Sequence, residues 1–148
     1  MAIPAFNEHD LLPDGIHDCT LEEAQERFGC FQTTDRRPWL WSRFEAFLRE
    51  LMACGVAEAL LINGSFVTAA PSPNDIDMVV LVSRTHDFGA ELAPGKYNAL
   101  SKRNVRRRYG FDIVLARAGT DDETETASFF QQVRGRPDLR KGILRIRI

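Results

Sequence analysis

"INGSFVTAAPSPNDIDMVVLV", residues 62–82, decides how the chain is read. It joins the end of one apolar segment, "EALLIN", to the start of another, "IDMVVLV", through a Gly-Ser break and a proline-bearing loop. The second segment is a nearly continuous apolar run, the pattern of a strand covered on both faces. Two carboxylates, Asp75 and Asp77, stand at its edge. Desolvating an unpaired carboxylate is costly, so such a pair is expected to come with a cation or a donor. Side chains alternate along a strand, so Asp75 and Asp77 are expected on one side with Cα atoms roughly 6.5–7 Å apart. Ile76 then points the other way and anchors the strand in the core.

Carboxylates at that spacing can bridge one or two hard divalent cations, and Mg²⁺ or Mn²⁺ suits a site of a few carboxylates, water and phosphate oxygens. Paired metals can clamp the attacking and leaving oxygens of a displacement at phosphorus. Gly64-Ser65 supplies a complementary part: glycine lets the backbone approach a ligand, and the amides and the Ser65 hydroxyl can donate to phosphate oxygens. A third carboxylate, Asp112, opens the strand "FDIVLA" and would face the pair if the two strands are neighbours, holding a metal or taking a proton from an acceptor hydroxyl. The basic cluster "SKRNVRRR" offers Lys102 and Arg103 for phosphate charge, with a solvated helix face as the bland alternative. Thr68, Asn74 and Asn63 are read first as turn residues.

Gly64-Ser65, nine residues, then Asp75-Ile76-Asp77-Met78 resembles the signature of the DNA polymerase β-like nucleotidyltransferase superfamily, across residues 58 to 116. The resemblance implies an α+β fold in which a small mixed sheet is flanked by helices. It further implies transfer of a nucleoside monophosphate from an NTP such as ATP, with pyrophosphate leaving. Asp75, Asp77 and Asp112 would be catalytic and metal-binding, and Gly64, Ser65, Lys102 and Arg103 would hold the nucleotide. "FVTAA" lacks the Arg that antitoxin-type members carry after Gly-Ser, so phosphate contacts there rest on amides and hydroxyls. "IPAFNEHDLLPDGIH", "EEAQERFG" and "KGILRIRI" are similar to an uncharacterised bacterial family of lone nucleotidyltransferase domains.

Outward from this centre, residues 1–19 are rich in turn formers and read as an extended arm. "TLEEAQERFG" carries a capping box, Thr20 with Glu23, and predicts a short helix. "DRRPWLWSRFEAFLRELMACG" is the clearest helix, with Leu40, Phe44, Phe47, Leu48 and Leu51 on one face, Pro38 in its first turn and Gly55 at its end. Trp39 and Trp41 flank Leu40 and cannot both face that stripe. "HDFGAELAPGK" reads as loop, "YNALSKRNVRRRYG" as a basic helix and "DDETETASFFQQV" as a helix opened by acids. "GILRIRI" alternates apolar and basic residues and predicts an edge strand with outward arginines.

With 148 residues, 44% hydrophobic and 27% charged, the chain is expected to be one soluble domain with a real core. No apolar run reaches the length of a membrane span, and the first residues are not expected to act as a signal peptide. Three cysteines at unrelated spacings argue for a reducing compartment, so a cytoplasmic setting is expected. His17 and Cys19, with Cys30 or His9, form no recognisable zinc spacing. The net charge of −2 hides a polarity: residues 1–30 carry seven acids against one base, and from Lys96 onward thirteen bases stand against six acids. A basic half could meet phosphate-rich partners such as an acceptor RNA, and a protein acceptor, a homodimer or a protein partner is equally open. A non-catalytic, antitoxin-like binding protein of the same fold is the alternative. A nucleotide-sugar glycosyltransferase or an aspartyl phosphatase would leave the upstream Gly-Ser turn unexplained.

Overall fold

The computed structural model describes residues 3–29, 35–70, 72–88 and 99–148. The first strand, β1 (Gly15–Cys19), leads into a one-turn helix, α1 (Leu21–Ala24). Its capping box is formed in both directions: the Thr20 hydroxyl accepts from the Glu23 amide at 3.1 Å, and the Glu23 carboxylate accepts from the Thr20 amide at 2.9 Å. A π-helical turn, Gln25–Gly29, extends it. Then comes α2 (Arg36–Cys54), where the periodicity predicts it, with all five stripe residues buried. Trp41 joins them in the core while Trp39 is 46% exposed, so the two tryptophans part as their spacing requires. Gly55 closes the helix in the left-handed region at φ 69°.

The middle of the chain carries β2 (Ala57–Asn63), a 3₁₀ turn (Ser65–Val67), β3 (Asp77–Val82), α3 (Lys102–Tyr109) and β4 (Ile113–Arg117). Helix α4 (Asp121–Phe130), a ribbon of β5 (Gln132–Val133) and β6 (Arg136–Arg140), and β7 (Gly142–Arg147) complete it. The readings for residues 89–98 and for Cys30 lie outside the described residues.

The fold is α+β. Among the described residues, five strands form a mixed sheet in the order β1-β7-β2-β3-β4, and β5 and β6 form a separate two-stranded ribbon. Strands β1 and β7 are parallel, as are β3 and β4, while β2 runs antiparallel to both its neighbours. Two expectations are corrected. The N-terminal arm contributes a full strand, since Gly15–Cys19 pairs residue for residue with Gly142–Ile146. The terminal strand is interior rather than an edge, lying between β1 and β2. Its Arg145 is therefore not turned out to water but is 20% exposed, with Nε and Nη2 donating to the two oxygens of Asp18 at 2.6 and 2.9 Å and Nη1 donating to Glu123 at 3.0 Å. A strand can carry an arginine through the middle of a sheet when neighbouring acids satisfy it.

Strand alternation divides the sheet into two unequal faces. Leu60, Ile62, Met78, Val80, Val82, Ile113, Leu144 and Ile146 belong to one large cluster with the α2 stripe, Phe28, Phe66, Val105 and Phe111. On the other face Ala59, Leu61, Val79, Leu81, Ala116 and Ile143 meet only Ala127 of α4 and a few half-buried neighbours, Phe130 among them.

Candidate active site

The second face ends in polar residues. In the β2–β3 ladder Asn63 is paired with Asp77, one position beyond Ile62 and Met78. Strand β4 is in register with β3 from Ile113 opposite Met78, and the alternation that puts Val114 and Ala116 on the second face extends back to Asp112. A polar row thus crosses three adjacent strands at one end of the sheet. Asp75 precedes β3 by two residues, so the expected strand pair becomes one strand residue, Asp77, and one residue of the entering loop.

Chain direction changes immediately after Asn63. Gly64 has φ 85° and ψ −166°, a region that side-chain-bearing residues essentially avoid. A Cβ there would lie 3.1 Å from Asp77 Cγ and closer still to a carboxylate oxygen. The glycine is thus required twice, for its backbone angles and for the approach of the Asp77 carboxylate. Ser65 is half-buried and opens the 3₁₀ turn. Thr68 is a turn residue: its hydroxyl donates to the Ser65 carbonyl at 2.7 Å and accepts from the Ala70 amide at 3.2 Å.

Two arginines at the start of α2, which carry no periodic signal in the sequence, hold the loop between the corner and the acids. Arg37 is completely buried and donates to the carbonyls of Phe28 (3.0 Å), Phe66 (2.6 Å), Thr68 (2.8 Å) and Ala70 (2.6 and 3.1 Å). Burial pulls its guanidinium down to about 10, which still leaves it charged at neutral pH. Arg36 donates to the Pro73 carbonyl at 2.9 Å and also to that of Asn74. Carbonyls of a loop satisfied by a planar five-donor group are fixed in place without secondary structure. The only available signal was the pair's position just before Pro38, where a helix start turns its first side chains toward neighbouring loops.

Electrostatically the three acids are neighbours. The Asp75 carboxyl is raised above its usual range by burial and by the charge of Asp112, with Arg106 and Arg36 opposing. Asp77 is raised by burial and then by Asp75, with Asp112 adding to it and Lys141 and Arg134 opposing. Carboxylates that raise one another in this way form a site that gains from a bound cation. Their donors are all hard oxygens, so Mg²⁺ or Mn²⁺ fits the set. They are not drawn together on one point: among the described residues no three His, Cys, Asp or Glu side chains are grouped as a metal cage. Asp112 is exposed and ion-paired with Arg106. Arg106 is the one member of the basic cluster that meets the acids, whereas Lys102 and Arg103 stay exposed on α3 and do not reach Asp75 or Asp77.

Beside Asp77 opens a cavity of about 710 Å³, bounded by the end of α4, the β5–β6 ribbon and the entry to β7. Asn63, Asp77, Phe129, Arg134, Arg140 and Lys141 contribute to its lining. Nothing in the sequence grouped these residues, because the ribbon brings Arg134 and Lys141 to Asp77 only through the topology of β7.

The chain belongs to a family of unknown function (DUF6932), whose sequence pattern spans residues 4–147. Neither the curated proteins nor the solved structures give a match. Among the described residues no helix is long and apolar enough to cross a membrane.

Proposed function

We propose that the chain is a nucleotidyltransferase, moving a nucleoside monophosphate from an NTP to a hydroxyl acceptor and releasing pyrophosphate. The observation that carries this reading is the Gly64 corner packed against Asp77, with Asp75 and Asp112 close enough to raise its field. Asp75 and Asp77 would hold Mg²⁺ or Mn²⁺, with Asp112 as a further oxygen ligand. The metal, when bound, supplies charge neutralisation and polarises the phosphoryl oxygens.

The chain's own residues do the rest. Gly64 and Ser65 grip the terminal phosphates of the NTP through amides and a hydroxyl. Arg37 holds the carbonyls of Phe66, Thr68 and Ala70 and Arg36 those of Pro73 and Asn74, so the corner and the acids keep a fixed separation. Asp112, released from Arg106, accepts the proton of the acceptor hydroxyl as its oxygen bonds to the α-phosphorus and the bond to pyrophosphate breaks. Arg106 then remains beside the reacting phosphates as a positive charge. Positioning and charge compensation supply most of the rate gain in such chemistry.

The test is incubation of the protein with each α-labelled NTP, Mg²⁺ or Mn²⁺, and total cellular RNA and protein. Label is expected to appear on an acceptor and to vanish with Asp77→Asn; label that never transfers, or transfers equally with the variant, overturns the reading. The Arg106–Asp112 ion pair favours a second reading, a non-catalytic binding protein in which the third acid is neutralised by the chain itself. Calorimetric titration separates the two, since a binding protein of that kind takes up no divalent ion at the acids.

A further inference from the structure

The cavity beside Asp77 holds hydrogen-bond donors that lack acceptors. The Asn63 side chain is 1% exposed, and its Nδ2 has no partner. A buried amide donor left unmet is costly, so its persistence at a cavity wall calls for an acceptor from outside. Lys141 is half-buried, and Arg134 stands on the ribbon's turn. Neither makes a side-chain hydrogen bond or an ion pair among the described residues. Arg140, by contrast, is already engaged by Asp14, Ser128 and Gln131. Three donors without a hydrogen-bond partner therefore line one space, two of them cationic and both in the field of Asp77 without pairing with it.

That donor set selects for an acceptor-rich anion, and a phosphate monoester, with three peripheral oxygens, satisfies all three groups at once. The wall also includes Phe129, 63% exposed and edge-on to Phe130 at 5.2 Å. An exposed ring beside a phosphate site offers a flat apolar surface for a ring of the ligand. The volume suits a small molecule. Gly64, Ser65, Asp75 and Asp112 do not line this space, and Asp77 is the one carboxylate that does. The polyphosphate grip therefore lies outside the cavity, which leaves it free for the other substrate.

We infer that this cavity is the acceptor subsite and takes a phosphorylated, ring-bearing small molecule whose phosphate is read by Lys141, Arg134 and Asn63. Only the word acceptor rests on the nucleotidyltransferase reading; the binding does not.

The experiment is calorimetric titration of the full chain in EDTA, with no NTP, using AMP, ribose 5-phosphate and adenosine as probes. AMP is expected to bind, with adenosine roughly tenfold weaker or worse because it lacks the charged acceptor. Ribose 5-phosphate is expected between them. Lys141→Gln and Arg134→Gln are each expected to weaken AMP several-fold, whereas Arg147→Gln, which removes an exposed charge away from the cavity, leaves it unchanged. No heat with AMP at about 1 mM overturns the inference, since a site built for it binds more tightly than that. Equal binding of AMP and adenosine, or AMP binding indifferent to both Lys141→Gln and Arg134→Gln, overturns it too. Arg134 sits on an exposed turn, so its variant keeps the test sound even where Lys141→Gln disturbs folding. Failure of label transfer alongside intact, Lys141-dependent AMP binding defeats only the enzyme reading; the reverse defeats only the subsite.

Discussion

One face of the sheet packs Leu60, Ile62, Val80, Val82, Leu144 and Ile146 into the same cluster as Phe44, Phe47 and the rest of the α2 stripe. The other packs Ala59, Leu61, Val79 and Ile143 under α4, and its end is left to Asn63, Asp77 and Asp112. The two faces divide the labour. The thick face supplies the free energy of folding, which lets the thin face hold carboxylates whose mutual repulsion opposes it. If that division is right, substitutions on the two faces should separate stability from chemistry.

The largest expected effect is on the thin face. Asp77→Asn should lower nucleotidyl transfer by about a thousandfold or more, corresponding to about 4 kcal/mol in the barrier. The same variant should not weaken the metal-free fold. Asp77 and Asp75 are raised in the folded state, so the folded chain binds their protons more tightly than the unfolded chain. Stability is therefore greatest below the ordinary carboxylate range and falls as pH rises through the raised values. At neutral pH in EDTA, Asp77→Asn should melt at the same temperature as the parent or higher; a lower melting temperature would show that Asp77 supports the fold.

Next in size comes the thick face. Phe44→Ala should cost about 3–5 kcal/mol in denaturant unfolding, with activity per folded molecule little changed. Arg37→Met should cost about 3 kcal/mol because it leaves several carbonyls unpaired. Unlike Phe44→Ala, it should also lower transfer, since the loop it holds leads to Asp75.

A smaller effect is expected at the Asp18–Arg145–Glu123 cluster. Its hydrogen bond to Arg145 holds the Asp18 carboxyl below the usual range. That contribution is present above the ordinary carboxylate value and is lost as pH falls through the lowered one. Asp18 is largely exposed, so Asp18→Asn should cost about 1 kcal/mol or less at neutral pH and nothing in strong acid, by thermal melts across pH. The smallest effect sharpens the boundary of the thick face. Burial, with Glu23 and Asp18, pushes the Cys19 thiol up to about 12. Iodoacetamide at neutral pH should leave Cys19 unmodified in the folded chain and modify it in denaturant, as mass spectrometry would show.

How much of this was legible follows from how local each signal is. The α2 stripe, the capping box at Thr20, the two strands around the Gly-Ser break and the left-handed stop at Gly55 all rest on residues within a few positions of one another. The sequence yields them for that reason. "GIHDC" has no such pattern, because its status as a strand depends on a partner more than a hundred residues away. The arginines of "RIRI" look like an edge device until Asp18 and Glu123 are known to meet one of them. Arg36 and Arg37 carry no pattern of their own at a helix start, and only the fold shows which carbonyls they serve. For the site, Gly64, Ser65, Asp75, Asp77 and Asp112 come from spacing; in the fold Gly64 packs against Asp77, and Asp75 and Asp112 act on its charge. Lys102 and Arg103 do not, because they lie in the first turn of α3, while Arg106, a turn further along the helix, is the one paired with Asp112. Lys141, Arg134 and the cavity were invisible, since they reach Asp77 only after the sheet is assembled.

The position of β7 has a consequence for how the molecule comes into being. Asp18 and Arg145 are 127 residues apart, yet they lie on neighbouring strands, and β7 separates β1 from β2. On the ribosome, Gly15–Cys19 therefore waits unpaired until residues 142–147 emerge, and the sheet closes around its last-made strand. Closure of so long a loop slows folding. While the gap stands open, the edges of β1 and β2 can be taken by a strand from another nascent copy. A stop codon just before Gly142 would thus deprive the sheet of its middle rather than of its margin.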